Sequence, residues 1–182
     1  IMIIRKRNAQ LAQDDLHQKL FRSQMNPHFI YNALGSIQSY MYKNETTKAA
    51  QFLGNFASLS RSILKYSAEN TIDLTSEIEM LKNYMELEKM RMPDVFDYEI
   101  IIDYDLETEF IHIAPMMIQP FVENAIKHGF CEKKEGGKLN IELIDKKDLL
   151  EVIITDNGVG VNNLRRQNPK HESMSTKIFY DR

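Results

Sequence analysis

Three scarcities restrict what this chain of 182 residues can be. It has one cysteine, Cys131, so it cannot form an internal disulfide and it suits a reducing compartment. It carries a net charge of −3 and has no basic domain or stripe, so there is no electrostatic reason to expect nucleic acid as a partner. It contains no solenoid-type repeat or low-complexity segment. The length allows one large domain or two small ones.

The first seven residues are an apolar run followed by a basic cluster. Residues 1–4 are all apolar, and residues 5–7 are Arg, Lys and Arg. A secretory signal peptide has the opposite order, with its positive charges before the apolar run. The observed order is typical of the cytoplasmic end of a membrane helix. The start of a frayed soluble helix is the alternative.

Two stretches in the first half repeat the hydrophobic spacing of an amphipathic helix. The apolar positions are Ile30, Leu34, Ile37 and Met41 in the first stretch and Phe52, Phe56, Leu59 and Ile63 in the second. Residues 43–47 between them predict a turn and a new helix start. A helical hairpin leaves apolar surface exposed when it stands alone. Two copies paired into a four-helix bundle would bury that surface, so we expect a homodimer.

The second half mixes helices and strands. A third helix is expected to begin near Ser76, with Glu79 completing a capping box, and to run to about Met92. The other expected elements are a strand at 98–104, a helix at 115–129 and two strands at 139–144 and 149–155. A helical first half followed by an α+β second half predicts a domain boundary within residues 68–76.

The pair Pro27–His28 lies at the start of the first amphipathic stretch. At 100° per residue, His28 falls opposite the apolar stripe, on the side that also carries Asn32. The imidazole is therefore expected to face solvent, with the proline shaping the turn before it. A neutral imidazole nitrogen at physiological pH is a competent nucleophile. The alternative is a surface histidine without a role.

Two further segments carry residues suited to a nucleotide. In residues 118–128, an apolar stripe alternates with polar side chains, which are Glu123, Asn124, Lys127 and, at the margin, His128. Carboxylate and amide oxygens are hard ligands suited to Mg²⁺, and a lysine suits phosphate. Residues 156–160 read Asp-Asn-Gly-Val-Gly directly after a strand, where two glycines allow close approach of a ligand. The alternatives are a solvated helix face and an ordinary turn.

Taken in order, these motifs resemble those of bacterial sensor histidine kinases of the LytS/YesM type. Residues 24–34 resemble the phosphoacceptor motif of that family, and residues 83–91 resemble its linker helix. Residues 115–129 are similar to its N-box, and residues 156–160 to its G1 box. The resemblance covers nearly all of residues 16–160.

The resemblance implies an α+β fold in two parts. Residues 8–72 would form the helical dimerisation and phosphoacceptor region, and residues 73–182 a Bergerat-type α/β sandwich that binds ATP, as in gyrase and MutL. This second part would be incomplete at its C-terminus. Residues 1–7 would be the end of a transmembrane helix, which places the chain on the cytoplasmic side of the bacterial plasma membrane.

The resemblance also implies roles for individual residues. Asp156 would hydrogen-bond the adenine amine, while Gly158 and Gly160 make room for the nucleotide. Asn124 would ligate Mg²⁺, Lys127 would contact phosphate and His128 would line the site.

The reaction implied is ATP-dependent phosphorylation of His28, followed by transfer to an aspartate of a response regulator. Asn32, one turn beyond His28, is at the place where other histidine kinases have a residue implicated in dephosphorylating the regulator. Glu123 is our candidate for the base in autophosphorylation.

Two alternatives use the same fold. An ATP-hydrolysing clamp of the gyrase/MutL kind would need a glutamate four residues before Asn124, and this chain has Pro120 there. A catalytically weakened dimeric scaffold is the second alternative. It is suggested by residues 173–178, which stand where the family has a second glycine box and contain no glycine.

Overall fold

The computed structural model describes residues 27–131, 133–147, 149–159 and 178–181, and for residues 27, 28 and 178–181 it describes the backbone alone. The chain divides into two compact units, Ile1–Asn70 and Thr71–Arg182. Helices and strands are both present, which confirms a mixed fold. The expectation for residues 1–7 lies outside the described residues. Along the described part of the chain, no helix has the length and apolarity needed to cross a membrane.

In the first unit, helix α1 (Pro27–Tyr42) and helix α2 (Thr46–Tyr66) form a hairpin. The predicted turn between them is confirmed, and it has a left-handed residue, Asn44, with a φ of 58°. The N–H of Glu45 donates to the carbonyl of Tyr40, and that of Asn44 to the carbonyl of Met41. This is a Schellman ending, which satisfies carbonyl groups that a helix otherwise leaves open.

The two stripes of the hairpin differ in burial. Phe52, Leu59 and Ile63 of α2 are 1% exposed, whereas Leu34 and Met41 of α1 are 54% and 62% exposed. The remaining members of the two stripes, Ile30, Ile37 and Phe56, are half-buried. The described hairpin therefore buries most of the apolar stripe of α2 and leaves much of the apolar stripe of α1 exposed.

The second unit contains a short two-stranded sheet, a long helix and a four-stranded sheet. Strand β1 (Ile72–Asp73) pairs antiparallel with β3 (His112–Ile113), and helix α3 (Leu74–Arg91) begins directly after β1. The four-stranded sheet consists of β2 (Phe96–Ile102), β4 (Gly137–Asp145), β5 (Leu149–Asp156) and β6 (Ile178–Asp181). These strands are in the order β2-β4-β5-β6, with β2 parallel to β4 and the other two pairs antiparallel.

The cap of α3 corrects the prediction. The N-cap is Asp73, not Ser76: the Asp73 carboxylate accepts the backbone N–H of Ser76 at 2.7 Å and its hydroxyl at 2.9 Å. Ser76 therefore lies inside the first turn, and the helix begins two residues earlier than expected. The pattern misled because aspartate and serine are about equally good N-caps.

The segment expected to be one helix over residues 115–129 is also different. Residues 115–118 form a turn in which Met116 has a φ of 56°. Helix α4 (Gln119–Asn124) follows, with Pro120 in its first turn, and continues as a π-helical turn (Ala125–Gly129). Single π-helical turns occur frequently at functional sites.

The core of the second unit lies between its sheet and its helices. Alternate residues of β4 are buried, as expected for a strand with one covered face, whereas β5 has three consecutive buried residues at 150–152. The buried side chains include Leu139, Ile141, Leu143, Leu150 and Val152 of the sheet and Leu74, Leu81, Met85, Ile118 and Val122 of the helical layer.

Candidate functional site

The end of the π-helical turn lies directly against the turn that follows β5. A Cβ on Gly158 would collide with the Cα of Gly129 and lie 2.5 Å from its carbonyl oxygen. A Cβ on Gly129 would lie 2.8 Å from Oδ1 of Asp156. The N–H of Val159 donates to the carbonyl of Gly129 at 3.0 Å. Two motifs far apart in sequence therefore meet backbone to backbone, and only glycines permit that approach.

This contact gives a second reason why Gly158 is a glycine. The sequence suggested that its missing side chain makes room for a nucleotide. The structure provides a reason within the protein, because any side chain at Gly158 would collide with the backbone of Gly129.

Asp156 is the last residue of β5 and its side chain is exposed. Its Oδ1 accepts the N–H of Gly158 at 2.8 Å, which closes an Asx turn and fixes the carboxylate at the strand end. The side chain is thereby held in place at the surface, where it can accept a further hydrogen bond from a ligand.

Asn157 is a structural residue of the site that the sequence interpretation missed. Its Oδ1 accepts the backbone N–H of Lys138 at 2.8 Å and the ammonium of Lys133 at 3.0 Å, and its Nδ2 donates to the carbonyl of Gly136 at 3.0 Å. One amide side chain thus joins the turn after β5 to the start of β4. The pair Asn-Gly after a strand was a signal for a turn, but not for these partners.

The polar residues after Glu123 are exposed, as the pattern predicted. Asn124 ends α4, and Lys127 and His128 lie in the π-helical turn that leads to Gly129. All three side chains are therefore available to a ligand next to the contact between Gly129 and Gly158.

Glu123 is less exposed than a solvated helix face would require. It is half-buried, and its Oε1 accepts the Nε2 of Gln119 at 2.9 Å. Burial raises the pKa of Glu123 above its usual value, and the nearby charge of Glu88 adds to the rise. The Gln119 hydrogen bond and the charge of Lys127 oppose it only in part. A carboxylate with a raised pKa is a better proton acceptor near neutral pH.

Helix α3 contributes a group of ionisable side chains near Glu123. Glu88 is 3% exposed, and its carboxylate is hydrogen-bonded by the guanidinium of Arg91, whose Nε lies 3.0 Å from Oε2. Burial raises the pKa of Tyr84, and the charges of Glu88 and Glu123 raise it further. These side chains of α3 therefore lie close enough to Glu123 to affect one another electrostatically.

The residues fit a magnesium ion held mainly through nucleotide phosphates. Within the described ranges, no three His, Cys, Asp or Glu side chains cluster in a way that could hold a metal ion. Mg²⁺ is commonly bound by one or two protein oxygens together with substrate phosphates and water, and the exposed amide of Asn124 supplies such an oxygen.

The expected phosphoacceptor lies in the other unit. His28 is the second residue of α1, and only its backbone is described. Asn32 is half-buried one turn later, and its carbonyl accepts the hydroxyl of Ser36 at 3.0 Å. Gly160 and residues 173–177 lie outside the described residues.

Comparison with known proteins agrees with the motifs. Residues 16–96 match the family model described as Histidine kinase. A sensor protein LytS from Staphylococcus epidermidis is 33% identical over 147 residues, which are 81% of this chain and 24% of that protein. A sensor protein LytS from Enterococcus faecalis is 33% identical over 148 residues, 81% of this chain and 25% of that protein.

A third relative carries a fuller description. The sensor histidine kinase/phosphatase LytS from Staphylococcus aureus is 30% identical over 149 residues, covering 81% of this chain and 25% of that protein. The chain thus spans about a quarter of the length of the curated relatives it matches.

One solved structure, the histidine kinase ThkA in complex with the response regulator TrrA, covers 91% of this chain and 47% of its own at 16% identity. Its TM-score is 0.38, which is too low to support a conclusion about the fold.

Proposed function

Because the chain belongs to the histidine kinase family of two-component sensors and is of the LytS type, we propose that it is the cytoplasmic part of such a kinase. In this proposal, it transfers the γ-phosphoryl group of ATP to His28 and then to an aspartate of a response regulator. The observation that carries the proposal is the backbone contact between Gly129 and Gly158, which joins the N-box to the turn of Asp156.

The second unit is proposed to bind ATP as a Bergerat-type domain. The Asp156 carboxylate accepts a hydrogen bond from the adenine amine, which selects adenine over guanine. Gly158 and Gly160 line the nucleotide. Lys127 contacts the phosphates, and His128 lines the nucleotide site. This assignment is supported by the exposure of Asp156, Lys127 and His128 beside one glycine contact.

The proposed chemistry is an in-line displacement at the γ-phosphorus. A nitrogen of His28 forms the new P–N bond while the bond to the bridging oxygen breaks, so ADP leaves with that electron pair. The proton on the other ring nitrogen passes to a base, for which Glu123 is proposed because burial raises its pKa. Mg²⁺, held by Asn124, would neutralise charge on the phosphates.

The first unit is proposed to form a four-helix bundle with a second copy of the chain. Support comes from the apolar side chains that the hairpin leaves about half-exposed or more, which are Leu34, Met41, Leu53 and Leu64. We propose that a transmembrane segment upstream anchors the bundle beneath the bacterial plasma membrane.

A phosphatase activity is also proposed. The relative from Staphylococcus aureus is described as a kinase/phosphatase. Asn32 lies one helical turn beyond His28, where its amide is suited to orienting a water toward a phosphorylated regulator. If Asn32→Ala leaves the rate of regulator dephosphorylation unchanged, Asn32 has no such role.

The test uses Mg²⁺ and γ-labelled ATP with the wild type and His28→Gln. The proposal predicts acid-labile, base-stable label on the wild type and none on His28→Gln, with nucleotide binding retained in both. Phosphate release that is unaffected by the substitution would instead identify a hydrolysing clamp. Absence of both labelling and nucleotide binding would identify the scaffold, which the glycine-free residues 173–178 favour.

A further inference from the structure

Glu77 is a buried carboxylate that the proposed chemistry does not use. It lies in the first turn of α3 and is 1% exposed. Its Oε2 accepts the backbone N–H of Met116 at 2.8 Å, and its Oε1 accepts that of Ile118 at 3.1 Å. Burying a carboxylate is unfavourable unless hydrogen bonds satisfy it, and here each carboxylate oxygen accepts one from a backbone N–H.

The amides that bind Glu77 belong to the turn that starts the N-box. Met116 has a φ of 56°, a left-handed conformation that costs a non-glycine residue energy. Such a conformation persists only where its surroundings hold it. The carboxylate of Glu77 supplies that hold, because it binds both Met116 and the residue two positions later.

The neighbouring part of the segment is attached to the start of α3 by other bonds. Ile72 and Asp73 pair with Ile113 and His112, and the N–H of Leu74 donates to the carbonyl of Ile111 at 2.8 Å. These contacts end at residue 113. Between that point and α4, Glu77 supplies hydrogen bonds that fix where the N-box helix begins.

The start of α4, which Glu77 holds, is followed directly by the polar residues of the N-box. Ile118, which Glu77 holds, is the N-cap of α4. The next residue, Gln119, donates its Nε2 to Glu123, and Asn124 follows at the end of the same short helix. A displacement of the helix start would therefore move both Glu123 and Asn124.

We propose that Glu77 is a positioning residue for the nucleotide site: its carboxylate, bound by the amides of Met116 and Ile118, sets the start of α4 and hence the places of Glu123 and Asn124. The inference rests on the proposed function in so far as it assigns these two residues to ATP and Mg²⁺. Glu77 touches neither ligand and acts through the backbone it binds.

The test compares Glu77→Gln with Glu79→Gln in the full chain. The side-chain amide introduced by Glu77→Gln would direct an N–H group at a backbone N–H, whereas Glu79 is exposed on the same helix and serves as the matched control. Glu77→Asp keeps a carboxylate on a shorter side chain. Melting temperatures are recorded for all variants, and every comparison is made well below them.

The first measurement is the affinity for a fluorescent ATP analogue with Mg²⁺ and with EDTA. Mg²⁺ increases the affinity of the wild type for the analogue by some factor, and we expect that factor to be about tenfold smaller in Glu77→Gln. Groups that orient metal ligands typically change metal affinity by about 10- to 100-fold. Glu77→Asp should be intermediate, and Glu79→Gln should equal the wild type. A purely structural role would lower the melting temperature without changing the Mg²⁺-dependent gain, and that result would overturn the proposal.

The second measurement is hydrogen exchange at the amides of Met116 and Ile118 without nucleotide. Faster exchange in Glu77→Gln, with Glu79→Gln unchanged, is expected, and equal protection in both variants would overturn the anchoring. If the wild type binds no nucleotide at all, the proposed function fails, and the exchange result still decides whether Glu77 holds this segment. If Glu77→Gln does not fold, the decision passes to Glu77→Asp with the same two measurements.

Discussion

The hairpin and the α/β unit solve the burial of apolar residues differently. In the α/β unit, the central residues Leu74, Met85, Leu139 and Ile141 are all 0% exposed. In the hairpin, Leu34 and Met41 keep more than half of their surface exposed although they follow a helical stripe. The described part of the α/β unit thus buries its central apolar residues within itself, whereas the described hairpin buries only some of its stripe residues.

This difference indicates which part of the molecule would be involved in the proposed dimer. Covering exposed apolar side chains with a second surface is stabilising, by roughly 25 cal/mol per Å² of apolar surface buried. A second copy, as in the proposed dimer, would therefore stabilise the hairpin, whereas the central residues of the α/β unit are buried without one. The polar groups of that unit are held by its own backbone, as Asp156 and Asn157 show.

The largest expected effect comes from truncating the two kinds of apolar residue. Ile141→Ala should destabilise the α/β unit by about 2–5 kcal/mol, because it leaves a cavity in a closed core. Leu34→Ala should change the stability of the described hairpin by less than about 0.5 kcal/mol, but weaken dimerisation about tenfold. Denaturant unfolding and sedimentation equilibrium measure the two quantities.

An unchanged self-association in Leu34→Ala would contradict this contrast between the two units, since it would show that no second copy covers the stripe of α1. The contrast is contradicted equally if Ile141→Ala weakens association as strongly as Leu34→Ala does.

Glycines sharpen the same comparison. Gly158→Ala forces a Cβ against the backbone of Gly129, and we expect a loss of about 1–3 kcal/mol together with weaker ATP binding. Gly54→Ala in α2 should instead stabilise by about 0.5–1 kcal/mol, because no described heavy atom lies within 4 Å and alanine favours the helix. Thermal unfolding and nucleotide titration give both values. Opposite signs are expected, and a tolerated Gly158→Ala would contradict the close approach.

The helix caps provide the smallest contrast. Asp73→Ala should cost about 1 kcal/mol. At α2, the N-cap Glu45 makes no capping hydrogen bond from its side chain, so Glu45→Ala should cost only the exposed pair with Lys48, well under about 1 kcal/mol. Urea unfolding at neutral pH measures both, and equal costs would contradict the assignment of Asp73 as the cap.

The Asp73 contribution should also depend on pH. Burial raises the pKa of Asp73, but the hydrogen bonds from Ser76 outweigh it, so the pKa lies below its usual value. A lowered carboxyl pKa gives stability that is complete above the unfolded value of about 3.9. It is lost as the pH falls through the lowered value. The difference between the wild type and Asp73→Ala should therefore shrink below about pH 4.

Periodicity predicted the regular elements well. The stripe of Phe52, Leu59 and Ile63 is buried as a helical pattern requires, and the strands expected at 139–144 and 149–155 are confirmed with ends that differ by at most two residues. These features depend on local alternation, which one sequence displays directly.

The sequence could not predict contacts between distant segments. Nothing near Glu77 indicates that its partners are the amides of Met116 and Ile118, because those groups are backbone and every residue type except proline provides them. The same applies to the collision that makes Gly158 a glycine. For the same reason the sequence predicts too early a start for the helix over 115–129, since two tertiary hydrogen bonds to Glu77 hold its first residues in a turn.

The most direct test of the account is equilibrium binding of ATP and GTP, measured by calorimetry on the full chain and on Asp156→Ala. We predict that the wild type binds ATP and not GTP, and that the variant loses most of its ATP affinity while its melting temperature changes little. Equal binding of the two nucleotides, or an unchanged ATP affinity in Asp156→Ala, would contradict the assignment of this turn as the adenine site.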